Sequence, residues 1–284
     1  MDYQAGNQYN SVQSVSENSF LNTQYKTDSK YTMPMLNKQR IAQRFNRAAA
    51  TYHRHAVVQS NVCRQLMWWV KTHCPQSFER VLEVGCGSGN LTRLLQQYIK
   101  INRLYLNDLN MGNLSQKPVG ITHIEGDMER IRLPENLDAI FSASALQWAN
   151  QPAALFARFA QALNHQGWLC FAAFGTDNLS EIRQILGVGL DYVGFQAACT
   201  QLPALGFEVC MWHEERQILF FEHANAVLRH LQASGVTAAG DYCWSRGGLQ
   251  RFDAAYRQLA AQHGNDTRYP LTYHPIYCIA RKIS

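Results

Sequence analysis

The stretch VLEVGCGSGN, Val81 to Asn90, decides the fold: an apolar strand ends on an acid and opens into a glycine-rich turn. Such a turn lets a ligand lie against the backbone where a helix begins. Its glycines, Gly85, Gly87 and Gly89, are spaced G-x-G-x-G, one residue short of the G-x-G-x-x-G of dinucleotide sites. Glu83, two residues before the first glycine, sets a carboxylate where a pyrophosphate would otherwise approach. The ligand expected here is nucleotide-like with a cationic group, and S-adenosylmethionine, with an ammonium and a sulfonium, fits. The competing reading is a tight turn that binds nothing.

Outward from this turn the chain alternates short apolar runs with helical patterns, as βαβ units of a parallel sheet do. Strands are expected at Arg80–Val84, Arg103–Asn107, Thr122–Glu125, Asp138–Ser142, Trp168–Phe174, Phe207–Trp212 and Ile276–Ala280. Helices are expected around Val57–His73, Asn90–Tyr98, Pro152–Asn164 and Leu179–Leu190. The pattern is a doubly wound, mostly parallel, seven-stranded α/β sheet, whose ligands sit beyond the carboxyl ends of the strands. Asp108 follows the second strand about 20 residues after the glycines, where a carboxylate can accept from both ribose hydroxyls. Asp127 follows the third strand and is placed to accept from an adenine amino group, with Met128 able to cover the ring. Taken singly, each acid could be a turn or helix-capping residue. One acid at the end of each of three successive strands is the stronger signal.

The 284 residues are 46% hydrophobic, enough for a substantial core in one decorated domain. Residues 1–35 are polar without an apolar period, the composition of a disordered tail, which leaves 36–284 as the domain. Neither a secretory signal nor a run of roughly 18 to 20 apolar residues is present in this sequence, so a soluble, cytoplasmic location is expected. The eight cysteines show no C-x-x-C spacing, which argues for reduced thiols and against a zinc cage or a disulfide framework. No metal site is expected. The net charge is +5, yet residues 29–78 carry eight Lys or Arg and no acid, so the remainder sums to −3. Within the basic N-terminal helices of 36–78, Ile41, Phe45, Ala48 and Tyr52 recur at helical spacing beside Arg40, Arg44, Arg47 and Arg54. This describes an amphipathic helix, whose cationic face is either merely solvated or a dock for an acidic partner, nucleic acid or protein.

The acids and glycines together resemble the class I S-adenosylmethionine-dependent methyltransferases, which have a Rossmann-like sheet. The resemblance implies that Glu83 and the turn, with Cys86, hold the methionine part, Asp108 and Leu109 the ribose, and Asp127 and Met128 the adenine. Ser142 to Ala145 would face the methyl group. The strand end reads SASALQW, Ser142 to Trp148, and not the Asn- or Asp-Pro-Pro-aromatic motif of nucleic-acid amino-methyltransferases. Three blocks narrow the likeness: NKQRIAQRFNRAAATYHRHA (Asn37–Ala56), SASALQW, and RYPLTYH (Arg268–His274) are similar to the malonyl-acyl carrier protein O-methyltransferases of biotin synthesis. That likeness spans roughly residues 37 to 283.

It implies methyl transfer to the free carboxylate of a malonyl thioester, with an acidic acyl carrier protein as partner and neither nucleic acid nor membrane. A carboxylate with a pKa near 4 is already ionised at neutral pH, so no general base is needed. Residues 222–275, between the last two strands, would form a substrate cap. Tyr52, Gln147, Trp148, Arg246 and Tyr273 are the candidates for aligning the carboxylate. A methyltransferase of another small acid or quinone precursor, and a non-catalytic module presenting the basic helix, are the alternatives.

Overall fold

Strand β2 (Ser77–Val84) is part exposed through its first half and buried on both faces from Val81 to Val84, the pattern of a strand with helices over both sides. The computed structural model describes the backbone of residues 13–15, 35–55, 57–114, 120–187, 189–233, 245–262 and 267–284, and the side chains of all of these except 13–15, 47–55 and 113. β3 (Lys100–Asp108) and β5 (Leu137–Ala143) flank β2, with β4 (Thr122–Glu125) outside β3 and β6 (Leu163–Phe174) outside β5. These five strands are parallel. β9 (Pro275–Lys282) pairs antiparallel with β6, and β7 (Phe207–Phe221) pairs antiparallel with β9, so β7 runs with the first five. The order β4-β3-β2-β5-β6-β9-β7 contains all seven expected strands, doubly wound about β2.

Two strands were not foreseen. β1 (Gln13–Val15) pairs antiparallel with Glu214–Arg216 of β7, inside the segment expected to lack structure. An edge strand presents unpaired N–H and C=O groups that a polar segment can satisfy without burying a core. The rest of residues 1–34 lies outside the described residues. β8 (Tyr269–Tyr273) gives the RYPLTYH block a strand, which pairs with Gln217–Phe221 of β7. β7 therefore runs nine residues past its expected end at Trp212. Its near half pairs with β9 and its far half with β8, with His274 between the two partners.

Helices cover both faces. α1 (Lys38–His55) and α2 (Val57–His73) come first, and Val58, Val62, Leu66 and Val70 of α2 are fully buried at a spacing of four. α3 (Asn90–Tyr98) leaves the glycine turn, and α4 (Pro152–Ala162) begins on a proline, whose fixed φ suits a first helical position. The helix expected over Leu179–Leu190 is shorter, α5 (Ser180–Leu186), because it stops at Gly187 in the left-handed region; α6 (Tyr192–Cys199), not foreseen, starts on Asp191, whose carboxylate caps the Gly194 N–H at 2.8 Å. α7 (Ala224–Ala233) and α8 (Arg246–Gln262) lie between β7 and β8. No helix of the described residues is long and apolar enough to cross a membrane.

The register aligns what matters for a site. Val84 stands opposite Asn107 on one side and Ser142 on the other, and Asp108 stands opposite Glu125. The carboxyl ends of β2, β3, β4 and β5 thus form one rim, and the crevice lies at β2, where the connections part to either side.

Candidate active site

The rim encloses a compartment of about 1100 Å³, counted to its open mouth and walled by the ends of β2 to β5 with α1 across it. That is of the size that ligand sites take. Glu83 is 1% exposed, and its Oε2 has no partner. Burial pushes its carboxyl up to about 8, with the neighbouring Thr92 pulling the other way. A buried acid with an unspent oxygen is poised for a cationic ligand group, since a nearby positive charge restores the carboxylate.

Gly85 has φ +70°, and a Cβ there would lie 2.2 Å from the Ala145 Cβ, so only glycine lets the turn pass under the end of β5. Gly87 has φ +51° with nothing near its missing side chain, and its N–H donates to Asp108 Oδ2 at 2.9 Å. The Asn110 N–H donates to Asp108 Oδ1 at 3.1 Å. Burial raises the pKa of Asp108 while these backbone donors oppose it. The two bonds fix the carboxylate and leave each oxygen with acceptor capacity toward the compartment. Leu109, Asp127, Met128 and Cys86 also line it. Burial pushes the Cys63 thiol in the same wall up to about 12 and Cys86 higher, so neither is a nucleophile at neutral pH.

Lys38, at the start of α1, was read only as one charge in a basic segment, and its role here was missed. Its Nζ donates to the Trp148 carbonyl, lies 2.7 Å from Glu129 Oε2 and 3.9 Å from Asp127 Oδ1. Burial pushes Glu129 up, but Lys38 and the N–H groups of Asn150 and Gln151 bring it below the ordinary carboxylate range. The lysine thereby ties α1 to the end of the rim that carries Asp127, across 91 residues of sequence from Lys38 to Glu129.

A second space of about 360 Å³ adjoins the first. Phe45, Gln59, Ser144 and Trp148 line both, and form the junction between them. Beyond the junction stand Gln147, Asn178, Tyr192 and Tyr273, among apolar Phe174 and Leu190. The Tyr273 hydroxyl lies 2.8 Å from His230 Nε2 of α7, and Asn178 Nδ2 donates to the Tyr192 hydroxyl at 2.8 Å. Gln147 Nε2 donates to the Ser144 carbonyl at 2.9 Å.

Of the candidates for the acceptor side, Gln147, Trp148 and Tyr273 meet here. Arg246 does not: it is exposed in the first turn of α8 and lines neither space. The side chain of Tyr52 lies outside the described residues. Ser142 requires correction, because it is fully buried and its hydroxyl donates to the Val84 carbonyl at 2.8 Å, joining β5 to β2. The wall at that strand end is Ala143, Ser144 and Ala145. Gln59, Asn178 and Tyr192 gave no separable signal. Gln59 sits on the apolar stripe of α2, where a polar residue reads as an interruption. The seven described cysteines are free thiols, and no group of three or more His, Cys, Asp or Glu among the described residues is arranged to hold a metal.

Residues 82–171 match the methyltransferase domain family model. A malonyl-acyl carrier protein O-methyltransferase of Acinetobacter baylyi is 41% identical over 256 residues, covering 88% of this chain and 98% of that one. One of the same name from Haemophilus influenzae is 37% identical, covering 88% and 96%. Among solved structures, a methyltransferase of Bacillus halodurans superposes with a TM-score of 0.55 at 15% identity, over 78% of this chain and 99% of that one. That last likeness concerns the fold.

Proposed function

The chain belongs to the malonyl-acyl carrier protein O-methyltransferase family, and on that premise we propose how its two compartments divide the reaction. The enzyme is an S-adenosylmethionine-dependent carboxyl methyltransferase whose product is a malonyl methyl ester for biotin synthesis. The observation that carries the division is the four-residue junction shared by both spaces. The first holds the methyl donor and the second the malonyl end of the acceptor.

In the first compartment Glu83 receives the donor's ammonium, Asp108 the ribose hydroxyls and Asp127 the adenine amino group, with Met128 against the ring. The fit is supported by the unpartnered Glu83 Oε2 and by the open space over Gly87. The bound donor supplies a methyl group on a sulfonium: a lone pair of the acceptor carboxylate takes the methyl carbon, and the carbon–sulfur pair stays on sulfur, giving the ester and S-adenosylhomocysteine. No proton moves, so the protein needs no base. Phe45 and Trp148, ring centroids 5.7 Å apart and edge to face, exclude water at the junction. Confining the acceptor there supplies the alignment, a contribution of order 7 to 11 kcal/mol in well-oriented systems.

The acyl chain reaches the site from a carrier protein docked on α1, whose buried Ile41 and half-buried Phe45 face the compartment while Arg40 is exposed. Acidic partners are steered by such a field. Incubation with methyl-labelled S-adenosylmethionine and malonyl-carrier protein should give a labelled methyl ester. Turnover of a different acid with no label on the malonyl thioester would overturn the reading.

A further inference from the structure

The junction holds two polar side chains with buried atoms that nothing among the described residues satisfies: Ser144 Oγ and Gln59 Oε1. Buried polar atoms are almost always paired, and each exception calls for a cause. Ser144 is not a leftover of packing. It sits at φ +58° immediately after β5, a conformation that costs a non-glycine residue energy and persists where the surroundings enforce it. Its N–H donates to the Ala172 carbonyl at 2.8 Å, and its carbonyl receives Gln147 Nε2. Only the hydroxyl is uncommitted. Gln59 is 5% exposed and reaches the same junction from α2. The ten described residues that line the second space are all uncharged. The lysine in the first, Lys38, is committed to Glu129 at 2.7 Å.

We infer that the acceptor carboxylate is received by uncharged donors, the Ser144 hydroxyl and the Gln59 amide with its NH2 turned to the place of the unpartnered oxygen, and that the methyl donor's positive charge, not a side-chain cation, is its counter-charge. The inference rests on the assignment of the two compartments given above. Its chemical logic lies in what changes during transfer. The carboxylate becomes a neutral ester, and a guanidinium would bind the starting charge better than the product, resisting the loss of that charge. A hydroxyl and an amide bond to the carboxylate and to the ester carbonyl alike. The side chains at the junction therefore position the acceptor without holding back its lone pair. The second space then accepts an anion well only when the first holds a cation, which couples the two binding events.

Calorimetry on the full chain tests this with malonyl-pantetheine as the acceptor probe. The protein is first saturated either with sinefungin, a non-reactive analogue that keeps a positive charge where the methyl donor has its sulfonium, or with S-adenosylhomocysteine, which keeps the ammonium but is neutral at sulfur. Binding of the probe should be at least about tenfold tighter with sinefungin. Ser144→Gly, which keeps the left-handed backbone at ease while removing the hydroxyl, and Gln59→Leu should each weaken the probe several-fold in the sinefungin complex. Neither should lower Tm, and each should weaken sinefungin less than it weakens the probe. Equal probe affinity in the two complexes would overturn the inference and leave the function standing. Absence of probe binding in both would overturn the compartment assignment, and the inference with it.

Discussion

The two compartments are built differently. The first takes its polar groups from strand ends that the sheet register sets side by side, Glu83 and the glycine turn, Asp108, and Asp127, with α1 and α2 closing over them. The second is gathered from α1, α2, the turn after β5, the segment after β6 and the cap strand β8. A methyl-donor site is thus a property of the sheet, and an acceptor site a property of what covers it. Substitutions should separate the two.

The largest separation is expected from Asp108→Ala. Loss of its hydrogen bonds to a ribose should weaken S-adenosylmethionine by about 1 to 3 kcal/mol, roughly 5- to 150-fold, while KM for a malonyl thioester at saturating donor stays near the wild-type value. Donor affinity measured by calorimetry and KM measured by initial rates make the comparison.

Glu83 tests the same wall by pH. Because its pKa is raised to about 8, the ligand-free protein holds a proton there at neutral pH, and that proton must leave before the carboxylate can receive an ammonium. Donor affinity should fall roughly tenfold for each unit of pH lowered below 7, and binding at pH 6.5 should release a proton, seen as buffer-dependent heat. Glu83→Gln should bind weakly at every pH, without the slope. The sign for stability follows too. A raised acid pKa favours the fold below the ordinary carboxylate value and loses that contribution as pH rises toward 8, so Glu83→Gln should raise the Tm of ligand-free protein most at pH 8 and above.

The smallest effect concerns the outer face of α1. Arg40→Glu with Arg44→Glu should raise KM for malonyl-carrier protein several-fold in a salt-sensitive way, with KM for a small malonyl thioester unchanged. An equal rise for both substrates would mean that these residues serve the helix and not a partner.

The difference in construction also explains what the sequence could reveal. Asp108 and Asp127 were readable because a carboxylate closing an apolar run marks a strand end whatever lies around it. Ser142 was misplaced because a strand alternates its faces only while it lasts. β5 ends at Ala143, Ser144 turns left-handed, and the hydroxyl that reaches the junction is the one after the break. Arg246 carries a suitable charge, yet a helix start in the cap sets it in solvent. Lys38 and Gln59 were hidden for opposite reasons: one is a single charge in a basic segment, the other a polar residue between the apolar positions of α2. Their partners are far away in the chain, Glu129 for the first and the end of β5 for the second. Composition and local period carry no trace of such meetings.

The long strand β7 links the two regions mechanically. One uninterrupted run of 15 residues pairs with β9 in the sheet and then with β8 beneath the cap. β8 is therefore joined to the sheet through a continuous strand, with the one register shift of β7, between Val209 and Met211, inside the half that pairs with β9. Cap and sheet should share one cooperative transition, with amide protons of Ile218 and Leu219 exchanging at rates close to those of the sheet interior. α7 and α8, which lie between β7 and β8 in the chain, are then the parts of this region whose surfaces can change without disturbing the sheet.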